Sequence, residues 1–218
     1  ITKLSEENID DYSDFFSNSN VIISVGRIVY QKGFWHLIKA FKLASEKYDD
    51  LKLAIVGSDF MEGNCQKLVE ELGIKNKVLF TGPQKNPFKY MKHSCLYVLS
   101  SLFEGFPNSL VEAMACKVPV IAADCKSGPR EILFKEPDLE RSINDIEYAD
   151  YGIIIPALES KEDFSLNFSS GEKKLAEAIL ALMKDEQLRK EYSERAQRRA
   201  EDFSYQTCKE KFVQVVEI

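Results

Sequence analysis

Leu99-Ser100-Ser101-Leu102-Phe103-Glu104-Gly105-Phe106-Pro107-Asn108-Ser109-Leu110-Val111-Glu112-Ala113-Met114-Ala115-Cys116 runs from the end of an apolar strand, through a loop broken by Gly105 and Pro107, into the start of a helix. A strand that passes directly into a helix is the unit of an α/β sheet, whose ligand loops lie at the carboxyl ends of the strands. Asn108 or Ser109 is placed to cap the new helix by accepting hydrogen bonds from its first N–H groups. A helix N-terminus that faces a cleft attracts anions. Glu104 falls in the loop and Glu112 in the first turns of the helix, with seven residues between them. The spacing thus sets two carboxylates at one cleft edge. It also has a structural reading, in which Ser109-x-x-Glu112 is a capping box and Glu104 an ordinary loop acid.

The same alternation extends in both directions. Short β-rich apolar runs occur at Val21 to Val25, Leu51 to Val56, Val78 to Phe80, Leu96 to Leu99, Val118 to Ala122 and Gly152 to Ile155. Helical stretches lie between them at Phe34 to Ser45, Cys65 to Leu72, Pro87 to Lys92, Ser109 to Cys116 and Pro129 to Leu133. The pattern predicts an α/β fold: a Rossmann-like parallel sheet of about six strands with helices on both faces. Further helices are predicted at Glu172 to Lys184 and Glu186 to Asp202, the second supported by Glu191/Arg195 and Glu194/Arg198 at i,i+4 spacing. Tyr205, Cys208, Phe212 and Val215 continue at helical spacing.

Composition bounds the function. The 218 residues are long enough for a sizeable core, and 44% hydrophobic with 29% charged residues is ordinary for a soluble globular protein. A net charge of −6 argues against a general nucleic-acid surface. No apolar run has the length of a membrane span, so a cytoplasmic protein is expected. Cys65, Cys95, Cys116, Cys125 and Cys208 are odd in number and form no C-x-x-C pair, which suits core thiols in a reducing compartment. His36 and His93 are too isolated for a metal cluster and read as structural histidines.

The run from Glu104 to Cys116, with Val25-Gly26-Arg27 and Lys32-Gly33 upstream and Gly128-Pro129-Arg130-Glu131 downstream, resembles the family-4 retaining glycosyltransferases of GT-B fold. The resemblance covers about residues 21 to 215 and only the C-terminal, donor-binding half of such enzymes. It implies a domain that helps move a hexose-type sugar from a nucleotide diphosphate sugar to a glycan or lipid-linked acceptor, as in polysaccharide biosynthesis, with no metal or other cofactor. Arg27 and Lys32 would hold the diphosphate, Glu104 would approach the donor sugar's hydroxyls and Glu112 the ribose hydroxyls. Gly26, Gly105, Phe106, Asn108, Ser109 and Leu110 would complete the donor site, with Gly82 and Gln84 near the base. Arg27, Lys32 and Glu104 would carry the catalysis. Gly57-Ser58 and the stretch from Lys126 to Glu131 complete the rim, with Arg130 a further candidate phosphate cation. Apart from the resemblance, Arg27 and Lys32 read as exposed strand-end bases.

By the same resemblance residues 1–20 are an interdomain linker, 21–204 the nucleotide-sugar-binding domain, and 205–218 a helix that packs on an N-terminal GT-B domain this sequence does not contain. Ile9, Tyr12, Phe15 and Phe16 are the lead-in residues placed to pack. Phe134 to Asp150, with six acids and two bases, reads as a solvated surface insertion. Arg189, Lys190, Arg195, Arg198 and Arg199 make either a solvated helix face or a peripheral contact with the inner face of a membrane. Two other classes suit the sheet pattern: a dinucleotide-dependent oxidoreductase module and a non-catalytic nucleotide-binding regulator. The first lacks its G-x-G-x-x-G turn, since Val56-Gly57-Ser58-Asp59-Phe60 carries one glycine where several are needed.

Overall fold

The computed structural model describes residues 1–9, 11–17, 20–125 and 127–216. Lys126 and the side chains of Phe212 and Val215, singled out in the sequence, lie outside the described residues. The lead-in forms α1 (Thr2–Ser5) and α2 (Ser13–Phe16). Then come β1 (Val21–Val25), α3 (Phe34–Ser45), β2 (Lys52–Val56), α4 (Asn64–Glu71), β3 (Val78–Gly82), α5 (Phe88–Lys92), β4 (Leu96–Leu99) and α6 (Asn108–Ala115). The remainder is β5 (Val120–Ala123), α7 (Gly128–Leu133), β6 (Glu147–Tyr148), β7 (Ile153–Ile155), α8 (Ser170–Lys184), α9 (Glu186–Glu201) and α10 (Tyr205–Val216).

The strands form one sheet in the order β3-β2-β1-β4-β5-β7-β6. All neighbours are parallel except β6, which runs antiparallel to β7 with Glu147 opposite Ile154. The expected six-strand parallel sheet therefore gains a seventh, reversed edge strand, which comes from the stretch read as a solvated insertion. Strand order reverses direction between β1 and β4, the place where a crevice opens at the carboxyl ends of such sheets.

Alternate residues of each strand enter opposite cores, because successive side chains point to opposite faces. Ile22, Leu53, Ile55, Leu96 and Val98 pack with α3, α4 and α8 on one face. Val21, Ile23, Ala54, Val56, Tyr97 and Leu99 pack with α5, α6, α7 and α9 on the other. Burial on both faces explains why the strands read as continuous apolar runs.

In the lead-in, Phe16 is buried against Tyr90, with ring centroids 5.5 Å apart, and Ile9 and Phe15 pack against the same core. Tyr12, expected to pack with them, is exposed at a left-handed φ of 65°. Cys65, Cys116 and Cys125 are buried thiols, but Cys208 is exposed, so it is no core residue. Glu191 and Arg195 pair at 3.3 Å, whereas Glu194 and Arg198 form no ion pair among the described residues. Arg189 and Arg199 turn inward, donating to backbone carbonyls at the end of α8 and around α7 respectively. Among the described residues no helix is long and apolar enough to cross a membrane.

His36 is structural, as its isolation implied. Its Nδ1 lies 2.8 Å from Glu172, its Nε2 2.9 Å from the Glu159 carbonyl, and the fully buried Lys39 ammonium joins the same carboxylate at 3.6 Å. Glu172 also closes a capping box with Ser169 at the start of α8. That network fixes α8 against α3.

Candidate nucleotide-sugar site

The loops after β1 and β4 meet at the switch point and are bonded to each other. Leu102 N–H donates to the Gln31 carbonyl at 2.8 Å, and Ser100 Oγ donates to the Lys32 carbonyl at 2.9 Å. Gly33 makes this approach possible, since it has φ +57° and a Cβ there would sit 2.5 Å from the Ser100 carbonyl oxygen. The turn at Tyr30–Lys32 therefore presents Lys32 to the β4 loop, with its stem lying over Gly26.

Lys32 Nζ donates to Glu104 Oε1 at 2.6 Å, and the two side chains are only 18% and 9% exposed. Ser101 Oγ donates to the same oxygen at 2.8 Å and Gln31 Nε2 to the other at 3.4 Å. Lys32 is thus a half-buried, paired ammonium, which corrects its reading as an exposed base. Gln31 and Ser101 are not legible in the sequence because an uncharged polar residue in a loop carries no signal of its own. Arg27, by contrast, is exposed and has no ion-pair partner among the described residues.

The Gly105 loop is held from below. Ser127 N–H donates to the Glu104 carbonyl at 3.2 Å, and a Cβ on Gly128 would lie 2.3 Å from the Gly105 carbonyl, so only glycine permits this stacking. Phe106 is partly exposed and packs on Phe203 with ring centroids 5.3 Å apart.

The start of α6 departs from expectation. Its N-cap is Pro107 and makes no side-chain bond, so neither Asn108 nor Ser109 caps the helix and no Ser109/Glu112 capping box forms. Both residues already lie inside the first turn, and Ser109 Oγ is taken up as acceptor for Tyr97 OH at 2.8 Å. Among the described residues the first N–H groups of this eight-residue helix are therefore left without a side-chain cap. Glu112 is freed by the same departure. Its carboxyl is half-buried, has no hydrogen-bond partner among the described residues, and is pushed above its ordinary pKa by burial.

A family model for glycosyl transferases group 1 matches residues 5–136. The chain belongs to that family. An uncharacterized glycosyltransferase of Methanocaldococcus jannaschii is 40% identical over 208 residues, 93% of this chain and 51% of its own length. A Campylobacter jejuni 4-alpha-N-acetylgalactosaminyltransferase, named for a diphospho-undecaprenol-linked substrate, is 30% identical over 87% of this chain and 44% of its own. The chain thus spans about half the length of these relatives. In fold it resembles Anabaena HepE, solved in complex with UDP, at a TM-score of 0.75 and 21% identity over 99% of this chain and 55% of that one.

Of the positions expected to serve the donor, the structure gathers Gly26, Arg27, Lys32, Glu104, Gly105, Phe106, Asn108, Ser109 and Glu112 around the ends of β1 and β4. Leu110 is fully buried in the core, so its side chain faces no ligand. Gly82 ends β3 and Gln84 follows it, at the sheet edge, where the Gln84 side chain donates to Thr81 O at 3.1 Å and accepts from Tyr90 OH at 3.2 Å. Arg130 is no phosphate cation. It is 4% exposed and forks onto Asp124, Nε and Nη2 each at 2.6 Å, while Nη1 donates to the carbonyls of Asp138 and Arg141.

Proposed function

We propose that this domain is the C-terminal, donor-binding half of a family-4 retaining GT-B glycosyltransferase, acting on a nucleotide diphosphate hexose and a glycan or lipid-linked acceptor. The observation that carries the reading is the convergence at one crevice of an exposed Arg27, the Lys32–Glu104 pair, an uncapped α6 and an uncommitted Glu112. In the reaction the anomeric carbon to diphosphate-oxygen bond breaks and the acceptor hydroxyl oxygen takes its place. The hydroxyl proton leaves with the diphosphate.

Negative charge grows on the diphosphate as that bond breaks, so cations fixed in advance lower the barrier more than they tighten ground-state binding. Arg27 is suited to bidentate contact and Lys32 to point-charge contact, which makes them non-interchangeable. Their charge does the work that a metal does in other transferases, with the helix N-terminus adding about 0.3–2 kcal/mol. Ionised carboxylates only accept hydrogen bonds, which suits Glu104 to sugar hydroxyls and Glu112 to ribose hydroxyls. The chain spans about half the length of its relatives, and on this reading the acceptor's other wall comes from outside the residues described.

A thermal-melt series with UDP, GDP and NAD tests the reading. Ligand at ten times its dissociation constant adds roughly 1.4 kcal/mol, and hence about 3–6 °C for a domain of this size. A shift with a nucleoside diphosphate and none with NAD is expected. A shift with NAD alone would contradict the donor-binding reading.

A further inference from the structure

A cavity of about 730 Å³ lies on the other side of the Glu104 loop, between the ends of β5 and β7, the 138–144 bend and the first turn of α8. Its volume falls in the range of small-molecule sites. Leu102 and Phe103 line its edge, so it opens directly beside Glu104.

The charges in its wall point to the kind of ligand it takes. Among the described residues three cations line it, and each is already matched: Arg130 with Asp124, Arg141 with Glu147 and Lys174 with Asp145, all at 2.6 Å. Among the described residues an anion would find no uncommitted positive charge here, unlike at Arg27. Uncommitted instead are the Glu140 carboxylate, the Ser142 hydroxyl and the Asn144 amide, which have no side-chain partner among the described residues. A carboxylate that accepts, an amide that does both and a hydroxyl that does both suit an array of sugar hydroxyls. The Phe103 ring, at the edge of the cavity, is 52% exposed, giving an apolar surface against which a pyranose ring can lie.

The wall is also built in advance. The buried Arg130 fork ties the Asp138 and Arg141 carbonyls to the end of β5, so it positions the bend that carries Glu140, Ser142 and Asn144. Preorganisation of this kind removes part of the ordering cost of binding.

We propose that this cavity is an acceptor subsite that holds a neutral, hydroxyl-rich glycan next to the donor sugar. The proposal rests on the glycosyltransferase reading above and gives the insertion at residues 134–150 a task. Saturation-transfer NMR on the whole chain tests it, with maltotriose and chitobiose as neutral probes, inorganic phosphate as competitor, and UDP affinity measured in parallel. Both sugars or either one should receive saturation in the wild type. The signal should fall about fivefold or more in Phe103→Ala or Asn144→Ala, both at exposed positions, while UDP affinity changes less than about twofold. No transfer to either sugar, an unchanged signal in both variants, or displacement by phosphate overturns the subsite. If sugar contacts hold but no nucleoside diphosphate binds, the donor reading fails and the subsite stands. UDP binding without sugar contacts overturns the subsite and leaves the donor reading in place.

Discussion

Lys32 Nζ and Glu104 Oε1 lie 2.6 Å apart, so the cation assigned to the diphosphate is held by the carboxylate assigned to the donor sugar. Binding must exchange one partner for the other. Glu104→Gln should therefore tighten UDP, which lacks the donor sugar that Glu104 would contact, by about 1 kcal/mol, roughly fivefold. Lys32→Ala should weaken UDP about 10- to 100-fold, the usual worth of a hydrogen bond to a charged group, at a stability cost of about 1 kcal/mol because Ser101 and Gln31 still hold Glu104. Calorimetric titration of both variants checks this; weaker UDP binding in Glu104→Gln would contradict the exchange.

Glu112 separates the ligand role from a capping role. Burial raises its carboxyl pKa, so the folded state favours the protonated form. With the folded value above the unfolded one, the stability it contributes is complete below the ordinary value of 4.5 and is lost as pH rises through the raised value. Glu112→Gln should thus be at least as stable as wild type at pH 7 and flatten the melting profile in the window just above pH 4.5. A capping residue would instead cost about 0.5–2 kcal/mol on removal. The same variant should bind UDP more weakly and inorganic diphosphate unchanged, and equal weakening of both would remove the ribose assignment.

Arg130→Ala leaves Asp124 as a buried, unpaired charge and releases the 138–141 backbone, and should cost about 3–5 kcal/mol in chemical unfolding. Arg130→Lys should restore little of it, since an ammonium cannot make the two-pronged contact. Near-wild-type stability in either variant would show that the fork does not anchor the bend.

Thiol chemistry gives an independent check on the packing. Burial pushes Cys65, Cys95 and Cys125 up to about 12 and Cys116 to about 11, while Cys208 is exposed. Reaction of the native protein with a chromogenic disulfide at pH 8 should show one fast thiol, abolished by Cys208→Ser. Several fast thiols would mean that the core around β4 and β5 opens readily.

The parts legible in the sequence are those governed by short-range pattern. Strands buried on both faces must be apolar throughout, so β1, β4 and β7 announce themselves, and Gly105-Phe106-Pro107 marks the turn after β4. What stayed hidden depends on contacts between distant residues. Lys32 and Glu104 are 72 positions apart, so nothing local shows that they pair. Arg130 reads as a rim cation until its fork onto Asp124 is seen. The two-residue strand β6 is too short to show a period, and it forms because Glu147 and Tyr148 find β7's free edge. Ser109 fails to cap because the helix begins one residue before it and Tyr97 claims its hydroxyl.

Every donor-site role assigned above requires a nucleoside diphosphate to sit at the ends of β1 and β4, and amide chemical-shift mapping of the isotope-labelled chain during UDP titration tests this most directly. The largest shifts should fall at Gly26, Arg27, Lys32, Glu104, Gly105, Asn108 and Ser109, and Lys32→Ala should shrink them at equal UDP concentration. Shifts confined to residues at the opposite ends of the strands, or no shifts at millimolar UDP and GDP, would contradict it.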